Sequence, residues 1–243
     1  MQLLHSATRN YSWGSRTLIP HLQGQPDSDK PVAELWFGAH PGDPSTVDGR
    51  LLNEVIAEDP AGQLGGRVSA EYGERLPFLL KVLAAEEPLS LQAHPSKAQA
   101  EEGFARENAA GIELTASNRN YKDDNHKPEL IVALTDFYAM AGFRPLARTR
   151  ELFAALECPE LDHYVAMLDD DPSATTESAN LRVLFTTWIT IPSAKRKELI
   201  SAIVAAGERL IAADPADWKS RVMSTVLDLN QRYPGDIGVL GAL

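Results

Sequence analysis

Residues 76–95, LPFLLKVLAAEEPLSLQAHP, contain two apolar runs separated by Glu-Glu-Pro, and this stretch decides the predicted fold class of the first part of the chain. Short apolar runs bounded by turn residues are typical of β-strands. We therefore predict strands at residues 76–85 and 89–94. Two further strands are predicted at residues 32–39 and 129–142, the latter rich in β-branched and aromatic residues. The first part of the chain is accordingly predicted to be rich in β-structure.

The hydrophobic period changes in the second part of the chain, where apolar residues recur at helical spacing. The last of these helices is predicted to end at Pro234-Gly235, because Pro-Gly commonly follows a helix. Between the two parts, a short helix is predicted at residues 96–108 and a polar loop at residues 109–125. The apolar residues with helical spacing are Leu152, Phe153, Leu156, Leu181, Leu184, Phe185, Trp188, Leu199, Ile200, Ile203, Val204, Leu210, Ile211, Trp218, Val222, Val226 and Leu229.

These patterns divide the chain of 243 residues into a β-domain at residues 1–146, which carries the candidate site residues, and a helical domain at residues 147–234. The last residues, 235–243, become apolar and are predicted to begin another strand. We interpret them as a return into the β-region that is cut short, so that the C-terminal part of the β-architecture is missing. The predicted fold class is α+β.

Composition and charge exclude several classes of function. Hydrophobic residues make up 44% of the chain and charged residues 23%, as in an ordinary globular protein. A formal net charge of −11 argues against a nucleic-acid surface or a binder of anionic membranes, and an anionic substrate would need a local cluster of cations. The sequence has no apolar run as long as a membrane span and no signal-peptide pattern at residues 1–10, so we predict a cytoplasmic protein. Cys158 is the only cysteine, which leaves nitrogen and oxygen ligands for any metal.

Gln92, His94 and Glu129 are candidate ligands of a divalent metal ion. Side chains alternate between the faces of a strand, so Ser90, Gln92 and His94 would share one face, while Glu129 begins the next predicted strand. A His nitrogen with Glu and Gln oxygens suits zinc, and this set would also accept manganese or iron. The alternative is that Gln92 and His94 face solvent on a half-exposed strand.

Lys81 and Glu34 raise a related question, because each lies within a largely apolar run. A buried ammonium or carboxylate is costly unless it is paired, so each of these residues needs a partner or a wet cavity. One interpretation places the Lys81 ammonium in the pocket of the metal, where it would bind an anion or a hydroxyl group. The other is a lysine at a strand end that reaches solvent.

Six segments together resemble the type I mannose-6-phosphate isomerases, and they occur in the order that is typical of that family. They extend over nearly the whole chain, and in combination they are highly specific. The segments are NYSWG at 10–14, AELWFGAHP at 33–41, LPFLLKVL at 76–83, SLQAHP at 90–95, NHKPE at 125–129 and YPGDIG at 233–238.

The resemblance implies a mainly β, cupin-type jelly roll with a helical insert domain, and one Zn²⁺ ion held by Gln92, His94 and Glu129. The family's fourth ligand is a histidine in a later strand, in a Pro-Ala-Gly-x-x-His-Ala-Tyr type of segment that this chain does not contain. Neither His126 nor His163 lies in that context. The family's later arginine, which helps to bind and polarise the substrate, is also missing.

The reaction implied by the resemblance interconverts mannose 6-phosphate and fructose 6-phosphate through a cis-enediol. A metal would polarise the oxygens, and an acid–base group would move a proton between C2 and C1. His126 and Lys127, next to Glu129, are the candidates for that group, although His126 could equally be a solvent-exposed loop residue.

The resemblance also implies which residues would contact the sugar phosphate. Lys97, near the start of the predicted helix, would attract the phosphate, or would simply be solvated. Trp13 would form a wall of the sugar pocket, or would pack in the core. The full set of predicted substrate contacts is Glu34, Lys81, Ser90, Trp13 and Lys97.

Three hypotheses about activity follow. In the first, the chain is an isomerase sequence without its C-terminal part and is inactive or impaired by itself. In the second, it is a non-catalytic cupin protein that binds a sugar phosphate or a metal. The third is a different metal-dependent cupin, such as an oxidoreductase or an epimerase, and the six family segments argue against it.

Overall fold

The computed structural model describes residues 2–168 and 174–243, with the side chains of residues 174–178 left out of the description. The chain divides into two compact units, Met1–Leu89 and Ser90–Leu243. The domain boundary predicted at residue 146 therefore differs from this division of the backbone, and it stays a prediction. No helix within the described ranges is long and apolar enough to cross a membrane.

The first unit contains two small antiparallel sheets. One has the strand order β1 (Leu4–His5), β4 (Thr46–Val47) and β5 (Arg50–Leu51). The other has β3 (Glu34–Phe37) at its centre, between β2 (Ala7–Arg9) and β6 (Leu80–Leu83). Strands β3 and β6 confirm the strands predicted at residues 32–39 and 76–85, although both are shorter than predicted.

The alternation of side chains along β3 gives its sheet an apolar face and a polar face. Leu35 is buried with Ile19 of helix α1 (Leu18–Leu22), and Val82 of β6 packs against this cluster. Glu34 and Trp36 point to the opposite face. Three short helices connect β5 to β6. They are α2 (Leu52–Glu58), α3 (Pro60–Leu64) and α4 (Gly66–Tyr72).

The second unit is helical and confirms the change of hydrophobic period. Its core includes Leu152, Ile203, Met223 and Val226, all from the predicted apolar stripes or next to them. Gly207 allows a close helix contact, because a Cβ atom there would lie 2.5 Å from the Cε of Met223. The helices are α5 (Lys97–Ala109), α6 (Leu146–Leu156), α7 (Asp162–Val165), α8 (Ala174–Thr190), α9 (Ser193–Ala213) and α10 (Trp218–Arg232), with 3-10 helices at Pro159–Leu161 and Ile237–Ala242.

The strands predicted at residues 89–94 and 129–142 are wrong for this structure, since neither segment has regular secondary structure. A strand exists only where a neighbouring strand accepts and donates its backbone hydrogen bonds, and the described residues pair no strand with either segment. Apolar side chains of the second segment are exposed without alternation, as exposures of 91%, 61% and 74% at the consecutive residues Leu130, Ile131 and Val132 show. Side-chain composition that suits a strand is therefore not sufficient, because a strand also needs a neighbouring strand with which to pair.

The strand predicted at the end of the chain is also wrong, because Ile237–Ala242 forms a 3-10 helix. The side chain of Asp236 caps it by accepting a hydrogen bond from the Gly238 N–H at 2.7 Å. Val239 and Leu240 are buried in the helical core, and this helix contacts α8, α9 and α10. The apolar composition of these residues therefore reflects burial against helices, and the predicted return of residues 235–243 into the β-region stays a prediction.

The burial of Leu240 generates a prediction about stability. Replacing Leu240, which is 1% exposed, with alanine should lower the free energy of unfolding by about 2–5 kcal/mol, because it leaves a cavity in the helical core. The matched control is Leu134→Ala at a side chain that is 76% exposed, which should change stability by no more than about 0.5 kcal/mol. Urea unfolding followed by circular dichroism measures both variants. Equal losses would contradict the packing described for Ile237–Ala242.

Candidate metal centre

The structure brings two of the three predicted metal ligands together. Nε2 of His94 lies 3.8 Å from Oε2 of Glu129, although neither residue is on a strand. Helix α5 and the loop after it separate these residues in sequence, so the fold creates the proximity. Gln92 is exposed and lies two residues before His94. Of the predicted trio, the structure therefore pairs His94 with Glu129.

The His94–Glu129 pair has the chemistry and nearly the spacing of two zinc ligands. Bond lengths near 2.1 Å and a tetrahedral angle place two ligand atoms about 3.4 Å apart, and a small side-chain rotation would bring the pair to that distance. Among the described residues, no cluster of three or more His, Cys, Asp or Glu side chains is arranged to hold a metal. A further ligand from this part of the chain would have to be of another type, such as the amide oxygen of Gln92. The pair thus offers one nitrogen and one oxygen donor of the kinds that zinc accepts.

The two candidate acid–base residues lie beside Glu129 in the sequence, and both are exposed. Nζ of Lys127 is 3.4 Å from Oε1 of Glu129, so the ammonium and His94 approach different oxygens of one carboxylate. His126 precedes this pair.

Helix α5 begins three residues after His94 and has a well-defined N-terminus. The Ser96 side chain accepts a hydrogen bond from the Gln99 N–H, while the Gln99 side chain accepts one from the Ser96 N–H. This reciprocal arrangement is a capping box, and it fixes where the helix starts. The short helix predicted at residues 96–108 is thereby confirmed.

Lys97, the first residue of α5, binds the chain shortly before Glu129. Its Nζ donates to the Asp124 carbonyl oxygen at 2.8 Å and to Oδ1 of Asn125 at 3.4 Å. The carboxylates of Glu101 and Asp124 lie 3.3 Å and 3.6 Å from the same ammonium. Lys97 is therefore occupied by protein groups, and its predicted contact with phosphate stays a prediction.

Sequence reasoning missed a buried ion pair between Glu107 of α5 and Arg119 of the following loop. Nε of Arg119 lies 3.1 Å from Oε2 of Glu107, and both residues are buried. The Arg119 guanidinium also donates to the Ile112 carbonyl oxygen and to Oδ1 of Asn108, both at 2.7 Å. A signal was available, because Glu107 lies on the same helix face as the small residues Ala100 and Gly103, all three buried. A charge on a buried face requires a partner.

The Glu107 carboxylate accepts hydrogen bonds from two consecutive backbone groups of the loop. The Tyr121 N–H donates at 2.8 Å, and Asn120 donates both its N–H and its side-chain amide. These bonds favour the charged form, so the pKa of Glu107 is lowered, chiefly by the Tyr121 N–H and further by Asn120 and Arg119. The loop thus depends on an ionised Glu107.

A pH-dependent stability follows from the lowered pKa of Glu107. The contribution of this group is present above the carboxyl pKa of the unfolded chain, about 4.3, and is lost as the pH falls through the lower value of the folded state. The expected result is a loss of amide protection at residues 120 and 121 in acid, measured by hydrogen exchange. Glu107→Gln should lack this acid-dependent step and should expose both amides already at pH 7. The same protection at pH 7 in Glu107→Gln would contradict the assignment.

The sheet formed by β2, β3 and β6 has a polar face, and this face contains a second group of predicted site residues. Glu34 is buried, and its Oε2 accepts a hydrogen bond from Nε1 of Trp36 at 2.7 Å. Nζ of Lys81 lies 3.6 Å from Oε1 of Glu34 and 4.6 Å from the centre of the Trp36 ring. The ammonium thus compensates the buried carboxylate and makes a cation–π contact. This sheet face holds Glu34 and Lys81 as one charge pair.

Arg9 is a further member of this sheet face that sequence reasoning missed. Its guanidinium lies 5.1 Å from the Trp36 ring centre and 5.2 Å from that of Tyr11, and it forms a 2.7 Å ion pair with Asp43. The hydrogen bond with Asp43 raises the pKa of Arg9 above its ordinary value. Trp13 stacks on Tyr11 with ring centres 5.5 Å apart. Among the remaining predicted contacts, Ser90 is exposed in the second unit.

Comparison with protein-family models identifies residues 1–146 as a match to the family described as phosphomannose isomerase type I, catalytic domain. The chain is 38% identical over 251 residues to mannose-6-phosphate isomerase from Escherichia coli K12, covering 100% of this chain and 60% of that relative. It is 33% identical over 258 residues to the human mannose-6-phosphate isomerase, covering 97% of this chain and 57% of that relative. The chain therefore spans about three fifths of the length of these curated relatives.

Solved structures give the same result. Mannose 6-phosphate isomerase from Salmonella typhimurium, bound to its substrate (f6p) and zinc, superposes with a TM-score of 0.83 at 35% identity, covering 100% of this chain and 59% of that one. A mannose 6-phosphate isomerase bound with zinc and yttrium also has a TM-score of 0.83, at 36% identity, with the same coverage.

Proposed function

This chain belongs to the phosphomannose isomerase type I family, and on that premise we propose that it serves the interconversion of mannose 6-phosphate and fructose 6-phosphate. The observation that carries the proposal is the 3.8 Å approach of His94 to Glu129, which pairs a nitrogen and an oxygen ligand from distant parts of the sequence. The zinc and substrate in the similar Salmonella structure support it further. The proposal includes the cupin-type jelly roll that the resemblance implies, and the two antiparallel sheets of the first unit support it.

In this proposal, Gln92, His94 and Glu129 hold a single zinc ion. When bound, the ion would act as a Lewis acid that polarises oxygen atoms of the open-chain sugar. The fourth ligand remains the histidine of the family segment that this chain does not contain. The 243-residue chain is accordingly expected to hold zinc less tightly than a site with four protein ligands, and to be inactive or impaired by itself.

The chain's own residues would move the proton. Conversion of the aldose requires a base to take the proton from C2, so that its electron pair forms the C1–C2 double bond while the C1 carbonyl pair moves onto O1. The hydroxyl proton of O2 passes to O1, and the electron pair left on O2 forms the C2 carbonyl as C1 accepts a proton. An acid supplies that proton to C1, so that no oxidant or reductant is consumed. His126 is suited to accept and return this proton, and the Lys127 ammonium, 3.4 Å from Glu129, is suited to stabilise the negative oxygen.

Residues of the polar sheet face and of the segment before His94 would bind the substrate. Lys81 and Glu34 offer a donor and an acceptor for sugar hydroxyl groups, and Ser90 offers a hydroxyl group that can act as either. Trp13, already stacked on Tyr11, would provide an apolar ring for the sugar. Lys97 stays a candidate contact of the phosphate. A cytoplasmic location remains part of this proposal.

The metal assignment predicts a loss of zinc in two variants. His94→Ala and Glu129→Ala should each weaken zinc binding by at least about tenfold, because each removes a ligand atom. Isothermal titration of the metal-free chain with zinc measures the dissociation constant. His163→Ala is the matched control, since His163 lies on α7 and is expected to leave the constant unchanged. Unchanged affinity in both ligand variants would reject this metal site.

The catalytic assignment predicts a separation of turnover from metal binding. His126→Gln should retain zinc and lower kcat by about 100-fold or more, because the variant removes a proton carrier without removing a ligand. A coupled assay of mannose 6-phosphate conversion, made on the product of the complete reading frame with zinc added, measures this change. Full activity in His126→Gln would assign the proton transfer to another residue. Turnover in a metal-free His94→Ala protein would reject zinc-assisted isomerisation altogether.

A further inference from the structure

Helix α5 begins shortly after one proposed zinc ligand, His94. Its side chains also bind the loop that leads to another proposed ligand, Glu129. His94 precedes the helix by three residues, and the capping box of Ser96 and Gln99 fixes the helix start relative to it. Glu129 follows a loop, residues 110–128, that has no regular secondary structure. A loop of this length can place its end over a wide range of positions unless it is held.

The first attachment is at the N-terminus of the helix. Lys97 Nζ donates to the Asp124 carbonyl oxygen at 2.8 Å and to Oδ1 of Asn125 at 3.4 Å. Asp124 lies only five residues before Glu129. The carbonyl oxygen is a backbone atom, so this bond restrains the path of the chain and not only a side chain.

The second attachment is near the C-terminus of the helix, ten residues from the first. Glu107 binds the backbone N–H groups of Asn120 and Tyr121, and it pairs with the buried Arg119. At about 1.5 Å per residue, the two attachments lie about 15 Å apart along the helix. Two attachments at this separation prevent the loop from pivoting about either one.

Between these attachments, the loop packs directly against a glycine of the helix. A Cβ atom added to Gly103 would lie 2.5 Å from ring atoms of Tyr121. Only a residue without a side chain allows the Tyr121 ring to lie this close to the helix backbone. Arg106 on the next turn holds its guanidinium 5.8 Å from the same ring centre. Residues 119–125 of the loop are thus in contact with α5 from Lys97 to Glu107.

We propose that Lys97, Gly103, Glu107 and Arg119 form a positioning network that holds Glu129 opposite His94, and that this network sets the affinity for zinc without contacting the ion. The inference rests on the proposed zinc site and adds residues that act through its ligands. A ligand held in place before the metal arrives loses less conformational freedom on binding. Partners of this kind typically change metal affinity by about 10–100-fold when they are removed.

The test uses two variants that disturb the network in different ways. Lys97→Met removes the attachment near Asp124 and leaves the half-exposed side chain similar in length. Gly103→Ala favours the helix itself but pushes a methyl group into the Tyr121 ring, so it displaces the loop without weakening α5. Lys97→Arg should restore part of the lost function, since it keeps a cationic donor at the same position.

Each variant has a matched control elsewhere in the chain. Lys219→Met removes a lysine that pairs with Glu151 and Asp217 on the helical core. Gly66→Ala adds a methyl group to a helix of the first unit at a point where no atom lies within 4 Å. Zinc titration of the metal-free proteins gives the dissociation constants, and hydrogen exchange reports the protection of amides at residues 120–129. Circular dichroism verifies the helix content.

The expected result is a 10–100-fold weaker affinity for zinc in Lys97→Met and Gly103→Ala, faster exchange at residues 120–129, and unchanged values in both controls. Unchanged affinity and exchange in the two network variants would overturn the positioning network. If the unsubstituted chain binds no zinc, the proposed zinc site fails separately. The network is then decided by exchange alone, where faster exchange in Lys97→Met and Gly103→Ala supports it and unchanged exchange refutes it.

Discussion

The requirement that every strand has a hydrogen-bonded neighbour determines where this sequence forms β-structure. Strand β3 (Glu34–Phe37) satisfies it on both edges, through Ala7–Arg9 on one side and Leu80–Leu83 on the other. Residues 129–142 have equally suitable side chains but no such neighbour among the described residues, and they run exposed and unpaired. Backbone pairing, more than side-chain propensity, therefore separates the strands from the irregular segments.

Buried charge imposes a similar rule on side chains in both units. Glu34 lies under the sheet face with Trp36 and Lys81 as its partners, and Glu107 lies on the inner face of α5 with Arg119 and two backbone N–H groups. A carboxylate that has lost its water is retained only when donors replace that water. In each case at least one partner comes from another part of the unit, Lys81 from β6 or Arg119 from the following loop, so the buried carboxylate links separate parts of its unit.

Local patterns predicted the elements that depend on local interactions. Helix α5 was found from composition after Pro95, and its capping box lies within four residues, so the sequence contains all that is needed. The proximity of His94 to Glu129 was foreseen by way of two neighbouring strands, but the structure reaches it through a helix and an anchored loop. Glu107 and Arg119 are twelve residues apart, with the end of α5 and an irregular loop between them, and no periodic pattern indicates which loop residue would meet Glu107. The apolar end, Ile237–Ala242, was assigned to a strand because apolar composition alone does not distinguish burial in a sheet from burial against helices.

The distribution of charge constrains how a phosphate could be recognised. The net charge is −11, and each cation near the candidate residues already has a carboxylate within 4 Å, Arg9 with Asp43, Lys81 with Glu34, Lys97 with Glu101 and Lys127 with Glu129. An anionic group that approached one of these cations would also meet its carboxylate, and the two interactions would largely cancel. Favourable binding of an anionic group to one of these cations therefore requires that the neighbouring carboxylate interact with another cation. Glu129 is the clearest case, because a cation bound by this carboxylate would weaken its hold on Lys127 and leave that ammonium available to an anion. Metal binding and anion binding would then be coupled through one carboxylate.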